Sequence, residues 1–371
     1  LICVSLPVHT QPGVIAGQLA NFAAFLPGAR IVLHVSANAR FGLHELEQVL
    51  AAAGCTNAVI NGQRLRTDWG DILPAHLANL DWIRRHAPQC TRICLHSSND
   101  MLVRPGLAHH LARGGNFLHY RPIRPGSRWR FAGAALADPA LQALCRRLGD
   151  VPAAAPVVGS QVEGSSYEAG LLYEVADILG HPVREAAPVA YPREEVWLST
   201  VAHARGARAG GAPYVFSEVH RFDRSFWRVL RIVDPLIGRP GDARYLPRRA
   251  LEFMMIRSGF HRIGRRLVDL IAADAADALA PHEWLSDDPD GASRWRVFDR
   301  HGLYGVKRVP RRAGHRLRRH IGQLSGQLSG QLSGQPGKRS GGDRSDSPAA
   351  GVALPIPPPD PRLAHPSHED L

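Results

Sequence analysis

Chemistry in this sequence concentrates where an apolar stretch gives way to small polar residues. Ile93-Cys94-Leu95 leads into Ser97-Ser98-Asn99-Asp100, and Arg104-Pro105-Gly106 follows. The apolar run reads as a short buried strand and the polar residues as the loop after it. In open α/β sheets, ligands bind beyond the carboxyl ends of the strands, so Asp100 stands where a ligand would be met. Asn99 and Asp100 are equally suited to a plain turn. Cys90, Cys94 and His96 carry metal-binding atoms. A zinc site usually draws on paired clusters, however, and no second C-x-x-C or H-x-x-x-H is present. No metal ligand is assigned. Arg128-Trp129-Arg130 lies in a stretch, 117–131, that alternates aromatics with arginines. Such mixtures suit sugars and phosphates, and they also occur on ordinary surfaces.

Charge points the same way. The 371 residues carry a net charge of +12, and residues 307–319 hold seven basic side chains and no acid. These are Lys307, Arg308, Arg311, Arg312, Arg316, Arg318 and Arg319. An anionic, phosphate-bearing ligand or an anionic membrane surface would be attracted to such a tract. The body lacks a recognisable reading motif for nucleic acid, so no nucleic-acid partner is expected. No apolar run reaches the roughly 18 residues that span a bilayer. No charged segment precedes a separate apolar one at the start, so no signal peptide is read. The expected location is cytoplasmic, or peripheral on the inner face of the membrane. The five cysteines are odd in number and scattered, which argues against a disulfide framework.

The elements that must position these residues follow from periodicity. Residues 2–8 read as a buried strand, 13–26 as a helix and 30–35 as a second strand. This opening is a parallel βαβ unit, hence an α/β fold with a mostly parallel central sheet flanked by helices. A helix over 43–53, a strand over 57–60 and an amphipathic helix over 71–86 continue it. Later helices are predicted over 136–148, in the second half of 160–179, and over 225–237 and 248–273. Pro192 followed by Glu194 and Glu195 suits a helix start. From Gly322 the chain repeats GQLS three times and then turns rich in Gly, Ser, Asp and Pro. One domain over 1–312 and a basic, then disordered, tail over 313–371 are expected.

Four segments, taken in order, resemble the core-2/I-branching β-1,6-N-acetylglucosaminyltransferase family and its bacterial relatives. SLPVHTQPG followed by RIVLHVS is similar to that family's first two strands. Arg66-Thr67-Asp68-Trp69-Gly70 resembles its V-x-W-G. Leu95 to Arg104 resembles its L-S-G-x-D-x-P-L-K. Pro192-Arg193-Glu194-Glu195-Val196-Trp197-Leu198-Ser199-Thr200 resembles its S-P-D-E-x-x-W-x-T. The resemblance covers roughly residues 1–312. It implies a GT-A-type fold and an inverting, metal-independent transfer of a sugar from a UDP-sugar to a glycan hydroxyl.

The resemblance also implies roles. Glu194 becomes the general base, with Glu195 the alternative if the register slips by one. His9, Ser36, Asp100 and Arg104 become donor contacts, and Lys307 and Arg308 the cations that stabilise the leaving diphosphate. Arg128, Arg130 and Glu163 become acceptor contacts, Glu163 alternatively capping the helix after it. His9 and Trp69 have ordinary readings as well, as a bonded turn residue and a packing residue. The acceptor would be a glycan or a lipid-linked saccharide, and no cofactor or metal is expected. The sequence departs from the family where Ser36 replaces an acid, Leu102 a proline and Ser98 a glycine. These departures leave the donor sugar open and motivate an alternative, a GT-A-like protein that binds a nucleotide or glycan without catalysis.

Overall fold

A computed structural model describes residues 1–68, 70–127, 129, 131–149, 154–187, 189–216, 264–278, 301–307, 309–312 and 314–333. The first third alternates strand and helix as its periodicity predicts. In order come β1 (Ile2–Val8), α1 (Pro12–Phe25), β2 (Arg30–Val35), α2 (Leu43–Ala52), β3 (Ala58–Asn61), α3 (Leu73–His86) and β4 (Arg92–Leu95). β4, β1, β2 and β3 pair in parallel. Alternate residues feed two cores. Val4, Leu6, Val8, Ile31 and Leu33 pack with Ile15, Leu19 and Phe22 of α1. Cys3, Val32, Ile93 and Leu95 face Leu73, Leu80 and Ile83 of α3. Burial on both faces explains why these strands read as continuous apolar runs.

The remaining elements are shorter. They are β5 (Met101–Leu102), α4 (Leu107–Ala112), β6 (Asn116–Phe117), β7 (Arg121–Pro122), α5 (Ala132–Leu136), α6 (Pro139–Leu148), β8 (Val158–Gly159) and β9 (Ser165–Glu168). Then follow α7 (Ala169–Glu185), α8 (Arg193–Ala204), β10 (Ala209–Gly211), β11 (Val215–Phe216), α9 (Arg265–Ala272), β12 (Gly305–Val306) and α10 (Arg316–Ser333). The main sheet has seven strands in the order β10-β6-β9-β4-β1-β2-β3.

β9 was not apparent in the sequence. Its Ser165-Ser166-Tyr167-Glu168 has little of the β-branched character of a strand, and pairing with neighbours overrides that weak propensity. β9 runs antiparallel to β4, with Leu95 opposite Ser165. The residues just before it therefore lie at the edge where β1, β2 and β4 end. A three-stranded sheet, β11-β12-β5, brings the C-terminal part to that same edge. β12 runs antiparallel to β5, and Val309 N–H donates to Asn99 O at 2.9 Å.

The domain does not stop at 312. α10 starts in the basic tract and takes in the GQLS repeats. Leu317 and Ile321 are buried and Leu324 packs beside them. Asn21 Nδ2 donates to Ser325 Oγ at 3.0 Å. Leu317, Ile321 and Leu324 fall at i, i+4 and i+7, one helix face that the repetitive composition obscures. Residues 334–371 lie outside the described residues, as do 225–237 and 248–263 of the expected helices. Among the described residues no helix is long and apolar enough to cross a membrane.

Candidate functional site

The site begins at the N-terminus of α8. Pro192 is its N-cap, and Glu194 and Glu195 occupy its first turn. Carboxylates are favoured there by the unpaired N–H groups and the helix dipole. A buried relay fixes this end. Trp197 Nε1 donates to Tyr191 Oη at 2.7 Å, and Tyr191 donates to Asp138 Oδ2 at 2.6 Å. Asp138 also caps α6 through Ala140 N–H. Arg193, 1% exposed, reaches Asp71 at 3.1 Å. Gly70 explains why two of the four resembling segments meet. Its φ is +79°, and a Cβ there would stand 2.9 Å from Tyr191 O. Gly70 O accepts from Arg193 N–H.

Of the two glutamates, Glu194 turns inward. It is 7% exposed, and its Oε2 is buried with no hydrogen-bond partner. Burial pushes its carboxyl up to about 8, helped by the charges of Glu195 and Glu163. A backbone hydrogen bond and Lys307 pull more weakly the other way. Glu195 is half-buried.

Glu163 and Lys307 meet beside it. Lys307 Nζ lies 2.7 Å from Glu163 Oε1. Burial alone would raise the Glu163 carboxyl, but the charge and hydrogen bond of Lys307 hold it below its ordinary value. Its second oxygen, Oε2, is buried without a partner. The position depends on Gly164, whose φ is +77° and where a Cβ would lie 2.6 Å from Val215. Gly164 N–H donates to Leu95 O, and Tyr214 N–H to Gly164 O. Glu163 is thereby wedged between β4 and the segment entering β11. Below it, His76 is fully buried, bonded to Ser5 Oγ at 2.9 Å, and burial pushes it down to about 3.

Three expected donor contacts have other work. Asp100 is wholly buried and closes its own loop, accepting from Ser97 N–H at 2.8 Å and Ser97 Oγ at 3.1 Å. His96 Nδ1 is 3.4 Å away, and His96 Nε2 contacts Tyr214 Oη at 2.6 Å. These bonds are those of the turn that Asn99-Asp100 suits. Ser36 is wholly buried. Its hydroxyl donates to Asn38 and accepts from Thr67 N–H and Thr67 Oγ1 at 3.0 and 2.7 Å. Arg104 is bound to Asp274 and lies over the Tyr304 ring. Lys307, expected against the diphosphate, is committed to Glu163. Arg128, Arg130, Arg308 and Trp69 lie outside the described residues.

A second cluster, not singled out in the sequence, centres on Arg311, which acts on His9 and Arg318. Arg311 Nη2 donates to Ser98 Oγ at 3.2 Å. Arg318 is 7% exposed; its Nε donates to Pro310 O at 2.9 Å, while Nη1 and Nη2 have no hydrogen-bond partner. Arg318 has no ion pair among the described residues. Burial, then the like charge of Arg311, lower it to about 10. Burial and Arg311 also push His9 down to about 4. The buried Thr10 Oγ1 lacks a partner too. An anion at the ends of β1 and β4 would supply the acceptors these donors lack. In the sequence, the even charge of 307–319 conceals which members face inward. Among the described residues, no group of three or more His, Cys, Asp or Glu side chains is arranged to hold a metal ion.

No protein-family model matches the chain, and no curated protein does. Solved structures show partial likeness. A 4-diphosphocytidyl-2C-methyl-D-erythritol synthase is 13% identical, with a TM-score of 0.26 over 50% of this chain and 84% of its own. A mycobacterial protein is 16% identical, with a TM-score of 0.27 over 57% of this chain and 76% of its own.

Proposed function

We propose that this chain is an inverting glycosyltransferase of the GT-A type, akin to the core-2/I-branching enzymes, with Glu194 as its general base. The observation that carries the reading is the Glu194 carboxyl: buried, with a free oxygen, and poised near neutral pH beside a second buried carboxylate and its lysine. A base with such a value exchanges protons efficiently at physiological pH. Glu194 takes the proton of an acceptor hydroxyl as its oxygen attacks the anomeric carbon. The bond from that carbon to the diphosphate oxygen breaks, and configuration inverts.

The leaving diphosphate would lie against Arg311, beside Ser98, and Arg318, whose Nη1 and Nη2 have no hydrogen-bond partner. This replaces Lys307 as the sequence-based candidate. Lys307 instead keeps Glu163 ionised, and the pair is suited to orienting acceptor hydroxyls. The donor is read as a UDP-sugar, N-acetylglucosamine being the first to try, and the acceptor as a glycan or lipid-linked saccharide. Arg312, Arg316 and Arg319 are exposed and are, among the described residues, members of the tract available to an anionic membrane. The test is donor hydrolysis and transfer across a panel of UDP-sugars, with and without EDTA. Turnover that survives EDTA and is lost in Glu194→Gln supports the reading. Absence of binding to every donor overturns it.

A further inference from the structure

Two features of α10 make its docked position costly in the unliganded protein. The first is Arg318, buried with Nη1 and Nη2 unpartnered and next to the like charge of Arg311. An uncompensated buried charge opposes the packing that buries it. The second is glycine. A Cβ at Gly322 or Gly326 would meet nothing within 4 Å, so packing does not require glycine at either position. Both nevertheless weaken the helix relative to alanine.

The docked helix is held by apolar and polar contacts, among them His320 Nε2 against Asp269 Oδ1 at 2.5 Å and Arg318 Nε donating to Pro310 O at 2.9 Å. Leu317 and Ile321 are buried and Leu324 packs beside them. The bond from Asn21 to Ser325 adds a polar contact. α1 links this helix to the loop below. Asn21 Nδ2 also donates to Leu102 O, and Leu102 N–H to Asn21 Oδ1, each at 2.8 Å. Gln18 Nε2 donates to Ser97 O and Asp100 O, each at 2.8 Å. The same loop carries Ser98, the acceptor of Arg311. Helix, loop and cationic cluster thus form one connected unit.

We propose that α10 is a strap whose docking on α1 is linked to anion binding: a phosphate or diphosphate between Arg311 and Arg318 fastens it, and loss of the anion loosens it. The inference rests on reading that cluster as the donor's diphosphate site. A ligand that binds the docked form more tightly shifts the population toward it. Docking then orders α10 when donor arrives, and undocking opens a route for the released nucleotide.

Hydrogen exchange on the full chain tests this, with inorganic pyrophosphate and UDP as separate probes. Either probe is expected to slow the amides of 317–326 at least tenfold while those of α3 stay unchanged. Arg318→Met removes the unpaired charge and keeps side-chain length. It should protect α10 without ligand and abolish the response to pyrophosphate. If that variant does not fold, the Gly322→Ala/Gly326→Ala pair decides: α10 should be protected without ligand and pyrophosphate should bind more tightly than to the wild type. Calorimetric binding of pyrophosphate with unchanged exchange in α10 would overturn the strap and leave the diphosphate assignment standing. Equal slowing of α3 and α10 would also overturn it, as global stabilisation. Failure of both probes to bind would overturn strap and assignment together.

Discussion

Glu163 and Arg318 are buried to nearly the same degree, 6% and 7% exposed, yet only one has its countercharge. Glu163 has Lys307 at 2.7 Å; Arg318 has no ion-pair partner among the described residues. A buried charge with a close partner is a settled part of the fold, whereas one without a partner opposes it. The difference separates the two halves of the site. In the carboxylate half, Lys307 balances Glu163, which on the proposed reading leaves Glu194 to handle protons. In the cationic half Arg318 has no countercharge among the described residues, which suits a place where the ligand brings the negative charge.

The comparison is sharpened most by Glu194→Gln. Turnover should fall ~10²–10⁴-fold, with UDP affinity unchanged, in a steady-state assay paired with calorimetry. The same variant should be more stable at high pH. The Glu194 carboxyl is raised from 4.5 to about 8 on folding. Between those values the folded chain holds a proton that the unfolded chain releases, so stability falls as pH rises through that window. Thermal melts should show the variant gaining over the wild type toward pH 8 and matching it below pH 4.5, that carboxyl's ordinary value.

Lys307→Met tests the paired half. It leaves Glu163 buried without its cation, at a cost of ~3–5 kcal/mol in denaturant unfolding at neutral pH. The Glu163 value is lowered on folding, so the pair stabilises above the ordinary carboxylate range and that contribution is lost as pH falls through the folded value. The deficit of the variant should therefore shrink in acid. Arg318→Met tests the unpaired half and should do the reverse. UDP affinity should drop ~10–100-fold, the worth of one or two charge-assisted hydrogen bonds, with no loss of thermal stability. The smallest effect belongs to Arg104→Met. Its partner Asp274 is 42% exposed, so under about 1 kcal/mol of stability should go and turnover should hold.

Legibility in the sequence followed the same division. β1, β2 and β4 could be read because two-sided burial writes continuous apolar runs, and Glu194 because Pro192 and two acids mark a helix start. Glu163 and Lys307 were each singled out, but their pairing was not. It depends on β9 running antiparallel and on β12 pairing with β5, and strands of two to four residues leave no periodicity to detect. Asp100 and Ser36, whose polar atoms bond within the protein, share one ambiguity. A short polar side chain in a loop looks the same whether it meets a ligand or its own backbone. Arg318 was hidden in a run of like residues, and only Leu317 and Ile321 beside it mark the face that turns inward.

The most direct test of the central claim is the pH dependence of kcat/KM for sugar transfer or donor hydrolysis, measured with EDTA present on the wild type and on Glu194→Gln. The wild-type rate should climb about tenfold per pH unit and level near the Glu194 value of about 8. The variant should lie ~10²-fold or more below it, without that ascending limb. A variant as active as the wild type, or a wild-type rate flat through neutral pH, would contradict it.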